Sequence, residues 1–309
     1  MQSWQSTLGK SVTLNGIGVH SGKPVSLTLH PAPADAGIIF QHKGSAELIP
    51  AVLARLTGTE LAVAVGDKNG MCISTIEHVM AAFSALGVDN ALIEVVGSEI
   101  PILDGSAVPY VEAIDEAGIV TQSAPRKFIE VLRPVRIDNG TQWAELLPYD
   151  GFKLDIDIDF AHGAISRQRL ILDVTPHSFR NEIAPARTFG FMRDAERLHA
   201  QGYGLGASFE NTVVLGDEGV LNRDGLRFPD EFVRHKALDA VGDLALAGLP
   251  LRAEYRSYRG GHKLNAGIVN ALLIDRAAFR IVEIGTPVSR PVRAAVGLRV
   301  AAPTYTPAR

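Results

Sequence analysis

Cysteine is nearly absent: Cys72 is the only one in 309 residues. A single thiol forms no intramolecular disulfide and cannot dominate a metal site, so metal ligands would have to come from His, Asp and Glu. An excess of basic charge is absent too. The formal net charge is -4 with the signs intermixed, which gives no field for nucleic acid and no polybasic stretch for an anionic membrane. No apolar run approaches bilayer length, and Met1-Gln-Ser-Trp-Gln-Ser-Thr7 lacks the basic-then-apolar pattern of a signal peptide. These absences predict a cytoplasmic chain with no nucleic-acid partner and no transmembrane segment. No repeat of fixed period and no low-complexity tract interrupts it. Apolar residues, in contrast, make up 46% of the chain, enough for one large domain or two of ordinary size.

The pattern restarts half-way. Val25, Leu27 and Leu29 alternate with Ser26 and Thr28 as in a strand, and Ile76, Val79, Met80, Phe83 and Leu86 form one stripe of a helix over 74–86 that stops at Gly87. The small Ala81, Ala82 and Ala85 on its other side would let a second layer approach closely. A strand over 91–96 and a helix ending near Gly118 follow. Thr121-Gln-Ser-Ala-Pro-Arg126 is the best linker candidate. Strand signals then resume at 128–135, 143–147 and 153–160, with turns at Asn139-Gly140 and Asp150-Gly151, which predicts a meander with one wet face. Helices are expected at roughly 193–201, 230–247 and 264–273. The reading is α+β: two domains, 1–122 and 127–309, each a sheet layered on helices. The segment from about Gly285 to Arg309 is weakly patterned.

Chemistry is concentrated in few places. His235 and Asp239 stand one helical turn apart, so both can reach one metal ion. With Lys236 and Asp243 they also fit the solvated face of an amphipathic helix, although Phe232 and Leu246 share that arc. His78 would complete a three-ligand site. Glu77 beside it could serve as base, or, in Ser74-x-x-Glu77, as the far end of a capping box. His262 follows Gly260-Gly261, where a loop could aim an imidazole inward or leave it at the surface.

Seven blocks carry a resemblance: Gly16-Ile-Gly-Val-His-Ser-Gly22, Ser74-Thr-Ile-Glu-His78, Glu99-Ile-Pro-Ile-Leu-Asp-Gly-Ser106, Ala186-Arg-Thr-Phe-Gly-Phe-Met-Arg-Asp194, Leu221-Asn-Arg-Asp-Gly-Leu-Arg-Phe228, Asp230-Glu-Phe-Val-Arg-His-Lys-Ala-Leu-Asp239 and Gly261-His-Lys-Leu-Asn265. In this order, over nearly the full length, the chain resembles the bacterial zinc-dependent UDP-3-O-acyl-N-acetylglucosamine deacetylases, which remove acetate in the committed step of lipid A synthesis. The resemblance implies helices of the two domains packed between the sheets, with the active site at their interface. It implies Zn2+, with Fe2+ as the alternative, held by His78, His235 and Asp239, and Glu77 as general base. Thr188 and His262 would stabilise the oxyanion, Asp243 would orient His262, and Lys236 would add positive charge. Either Glu77 or His262 would protonate the leaving amine. An insert at about 188–222, with Phe191, Met192, Leu198, Phe209 and Val214, is implied as the passage for the acyl chain; without the resemblance those residues read as ordinary core. The implied partner is a small-molecule UDP-sugar lipid in a Gram-negative cytoplasm, met by a monomer. Glu210 stands where the family usually has Asp, and Lys263 where a small residue is common.

Two other readings remain open: a zinc amidase for another acylated amino sugar, and a non-catalytic binding module on the same fold. Metal analysis separates the last from the hydrolases. Gently purified protein should carry stoichiometric zinc or iron, and protein without either would contradict both hydrolase readings.

Overall fold

The computed structural model describes residues 3–66 and 70–284. The tail from about Gly285 to Arg309, and with it the end of the expected 127–309 unit, lies outside the described residues. The architecture is α+β. Val12–Ile17, Pro24–Pro31, Ala91–Val96, Ile38–His42 and Ile49–Pro50 form a five-stranded sheet in that order. Along Pro24–Pro31 the alternation holds, with Val25, Leu27 and Leu29 buried and Ser26 and Thr28 half-exposed. An eight-stranded sheet is organised around Ile119–Val131 and Leu251–Tyr258, and a small three-stranded sheet ends at Cys72–Ser74, just before the first helix.

The helices supply the packing between these layers. Every residue of the Glu77–Leu86 helix except Ser84 is buried, and its C-cap Gly87 adopts the left-handed conformation that ends a helix cleanly. It packs against the Glu231–Leu244 helix, which on its other side meets strands Phe152–Asp159 and Arg167–Asp173 of the large sheet. The Val108–Ala117 helix fills the space between Glu77–Leu86 and strand Val12–Ile17. Only Arg234 and Lys236 of the Glu231–Leu244 helix escape full burial. The solvated-face alternative therefore fails, and Phe232 and Leu246, odd on a wet face, are simply core.

Three local expectations are corrected. Thr121–Arg126 is no linker but the middle of a 13-residue strand, Ile119–Val131, which pairs Trp4–Leu8 through its first half and Phe279–Ile284 through its second. The expected meander is interrupted, because Leu251–Tyr258 inserts between Trp143–Leu147 and Phe152–Asp159, antiparallel to the first and parallel to the second. Its wet face is also drier than expected: Asp155 and Asp157 are buried beneath Arg169 and Arg167, which clasp them at 2.7 and 2.6 Å. Finally, Ser74 caps nothing. It ends a strand, Thr75 takes a left-handed φ of 62°, and the helix starts at Glu77 with Ile76 as its cap and no side-chain capping bond.

The two buried helices touch backbone to backbone. A Cβ placed on Gly242 would lie 2.0 Å from the carbonyl oxygen of Glu77 and 3.0 Å from its Cα, so no residue but glycine fits there without separating the helices. Gly242→Ala should lower stability by about 1–3 kcal/mol, read as a reduced denaturant midpoint, and should weaken metal binding. An unchanged midpoint would contradict this packing.

Candidate metal centre

The Glu77–Leu86 and Glu231–Leu244 helices bring three donors together. The nearest ligand atoms of His78, His235 and Asp239 lie within 4.8 Å of one another, and all three residues are buried. Asp239 Oδ1 is 3.3 Å from His235 Nε2 and 3.9 Å from His78 Nε2. Ligands at about 2.1 Å from a tetrahedral ion stand about 3.4 Å apart, so the spacing suits a shared divalent cation. The second polar atom of two of these side chains is spoken for: His235 Nδ1 donates to the Ala186 carbonyl at 3.0 Å, which leaves Nε2 free as a ligand, and Asp239 Oδ2 accepts from Lys236 Nζ at 2.8 Å, which leaves Oδ1.

Protonation states agree with that use. Burial, reinforced by the neighbouring imidazole of His235, pushes His78 down to about 3, and burial also lowers His235. Both rings are thus neutral, as ligands must be. Burial alone would raise Asp239, but the charges of Lys236 and His262 hold its carboxyl well below the usual range. Burial likewise works against charge on Lys236, and Asp239 keeps it protonated. The donor set is therefore two neutral nitrogens and one carboxylate oxygen, which fits a divalent cation.

A cavity of about 370 Å³ opens onto these donors. Glu77, Thr188, Lys236 and His262 line it, with Thr59, Glu60 and Leu61 at one side and Gln142 of the Asn139-Gly140 hairpin at another. Glu77 is buried, and its Oε2 accepts the backbone N–H of Val63 at 3.0 Å. Burial, opposed by His262 and assisted by Asp239 and Asp243, pushes its carboxyl up to about 7. His262 is the first residue of the His262–Ile274 helix rather than part of a loop, and its Nδ1 meets Asp243 Oδ2 at 2.8 Å. Burial opposes charge on this ring, yet Asp243 raises it to about 10. The cavity thus holds one carboxyl poised near neutrality and one imidazolium.

Several contributors escaped the sequence reading. Ala186-Arg-Thr188 acts as three adjacent parts: Ala186 orients His235, Arg187 is clasped by the fully buried Glu231 at 2.9 Å, and Thr188 reaches the cavity while its N–H bonds the Gly105 carbonyl at 2.8 Å. Glu99 accepts the backbone N–H groups of His20 and Ser21, which folds the Gly16–Gly22 block toward the site. The opposite charges of Arg187 and Glu231, both inside quoted blocks, were the available signal. For Val63 there was none, because its contribution is a backbone N–H.

Of the residues named for the acyl passage, Phe191 and Val214 lie on the paired strands Phe189–Phe191 and Val213–Leu215, Met192 and Leu198 on the Met192–Ala200 helix, and Phe209 in the turn before the second strand. Phe191, Leu198 and Val214 are half-buried, while Met192 and Phe209 are exposed. Met192 and Phe209 are therefore not core, whereas Phe191 packs against the edge of the core. Lys263 lines the cavity, whereas Glu210 lies exposed in the turn after Ser208.

Asp239→Asn keeps shape but removes the charge that serves the metal and Lys236. Equilibrium dialysis against Zn2+ should show affinity reduced at least about 100-fold, beyond the loss typical of outer hydrogen-bond partners; an unchanged affinity would contradict the assigned donor.

Comparison with known proteins identifies the family. The family model for LpxC, UDP-3-O-acyl N-acetylglycosamine deacetylase, matches residues 5–274. Curated proteins named UDP-3-O-acyl-N-acetylglucosamine deacetylase from Brucella ovis and Brucella canis are each 51% identical over 286 residues, covering 92% of this chain and 100% of theirs. One from Brucella melitensis biotype 2 is 50% identical over the same length. The chain belongs to the UDP-3-O-acyl N-acetylglycosamine deacetylase family.

Proposed function

We propose that this chain hydrolyses the N-acetyl group of UDP-3-O-acyl-N-acetylglucosamine, giving the free amine and acetate, as the name of its relatives states and as the committed step of lipid A synthesis requires. The observation that carries the reading is the buried triad His78, His235 and Asp239 beside the buried carboxyl of Glu77 in one cavity. Two imidazoles and one carboxylate favour Zn2+, with Fe2+ as the alternative. The cation, when bound, supplies Lewis acidity toward a water and an amide carbonyl.

The side chains do the rest. Glu77, held by Val63 on one oxygen and raised to about 7 by burial, takes the proton of the attacking water. The developing oxyanion is met by the Thr188 hydroxyl and the His262 imidazolium, both on the cavity wall. His262, held protonated to about 10 by Asp243, is the better placed acid for the departing amine, while Lys236 keeps Asp239 ionised. Phe191, Met192, Leu198, Phe209 and Val214 would carry the acyl chain, an assignment supported by their incomplete burial in the segment that follows Thr188. The binding-module alternative gives no use for a buried carboxylate tuned to neutrality, and the alternative amino-sugar substrate is tested by the same assay.

Acetate release from the UDP-sugar substrate by the metal-loaded chain should be abolished in His235→Ala and reduced about 100–10,000-fold in Glu77→Ala. The unaltered chain should gain activity with pH as Glu77 loses its proton, at or below about 7, and lose it near 10 as His262 does. Normal turnover by Glu77→Ala would overturn the base assignment, and no acetate from the metal-loaded chain would overturn the function.

A further inference from the structure

The His262–Ile274 helix delivers two side chains, not one, to Asp243. His262 Nδ1 and, three residues on, Asn265 Nδ2 each lie 2.8 Å from the same oxygen, Oδ2. The other oxygen, Oδ1, is buried with no hydrogen-bond partner among the described residues. The carboxylate is therefore fixed through Oδ2 alone, and one of its two partners is the ring it would have to orient. Asn265 is the independent one.

The amide of Asn265 is itself fixed from behind. The Tyr255 hydroxyl donates to Asn265 Oδ1 at 2.5 Å. Because a carboxylate only accepts, the Asn265 NH2 faces Asp243 and its carbonyl faces Tyr255, so the single phenolic proton points to Asn265. With its carbonyl occupied by a donor, Asn265 can only turn its NH2 toward Asp243. Tyr255, Asn265 and Asp243 are all buried, so bulk water offers no replacement partner and a lost bond leaves a polar group unsatisfied.

We propose that Asn265 and Tyr255 are positioning residues for the deacetylation. In this one-way hydrogen-bond chain Tyr255 donates to Asn265 and Asn265 to Asp243; the fixed carboxylate then keeps the His262 Nδ1–H aimed at Asp243 and its Nε2 available to the cavity. The inference rests on the deacetylase reading, in which His262 serves the oxyanion and the leaving amine. Neither residue touches substrate; both act through Asp243.

Tyr255→Phe removes one hydroxyl and keeps the ring, and Asn265→Ala removes the donor. In the metal-loaded chain each should lower kcat about tenfold while KM stays within about twofold, since a reacting group is misplaced and no binding contact is lost. In metal-free protein labelled with ¹⁵N-histidine, the His262 Nδ1 proton should exchange faster with water in both variants. In an Asp243→Ala background neither substitution should cost anything further, because the chain of bonds has lost its target. Full kcat with unchanged proton exchange in Tyr255→Phe would overturn the proposal. So would an equal loss in the Asp243→Ala background, which marks a packing defect. An unaltered chain that releases no acetate would contradict the deacetylase reading instead, and the His262 proton exchange would still decide the positioning claim.

Discussion

The site depends on one close approach. At Gly242 the Glu231–Leu244 helix meets the backbone of Glu77 with no room for a methyl group, and the donors are ordered around that contact. Glu77 and His78 sit at the start of one helix, and His235 and Asp239 lie within two turns of Gly242 on the other. Helices separated by ordinary side chains run 8–10 Å apart; a glycine contact shortens that and lets short ligands such as Asp span the gap. Ala81 and Ala82, both fully buried, keep the same helix slim further along. Packing and coordination are therefore one constraint.

Burial does the electrostatic work as well. The same exclusion of water that makes His78 and His235 neutral raises Glu77 toward neutrality, so ligands and base are set by a common cause. The charges that persist are each paired: Asp239 with Lys236 at 2.8 Å, and Asp243 with His262 at 2.8 Å. Unpaired charges at such depth would be too costly to keep. The arrangement leaves the cavity with a carboxyl that can accept a proton and an imidazolium that can give one, which is the division of labour that amide hydrolysis needs.

Much of this was legible in the sequence where the signal is local. The i, i+4 spacing of His235 and Asp239 follows from helix geometry, and the helix ends at Gly87 and Gly118 were marked by glycine. Failures came where distant chain intervenes. The turn signals at Asn139-Gly140 and Asp150-Gly151 marked real turns, but nothing near them announces that Leu251–Tyr258 will enter between the strands they precede. Ser74-x-x-Glu77 matched a capping box until the left-handed Thr75 put Ser74 in a strand and gave Glu77 to Val63. Nothing local in the sequence marks Gly242, since only its partner backbone explains it. Asn265 lay inside a quoted block, but its link to Tyr255 crosses from a helix to a strand.

The most direct test of the central claim is the anomalous scattering of a crystal of the zinc-loaded protein, recorded on both sides of the metal edge. The account predicts one strong peak in the cavity, about 2.0–2.2 Å from His78 Nε2, His235 Nε2 and Asp239 Oδ1, with Glu77 nearby but outside bonding distance. A peak ligated by Glu77 in place of one of the three, or found away from the junction of the two helices, would contradict it.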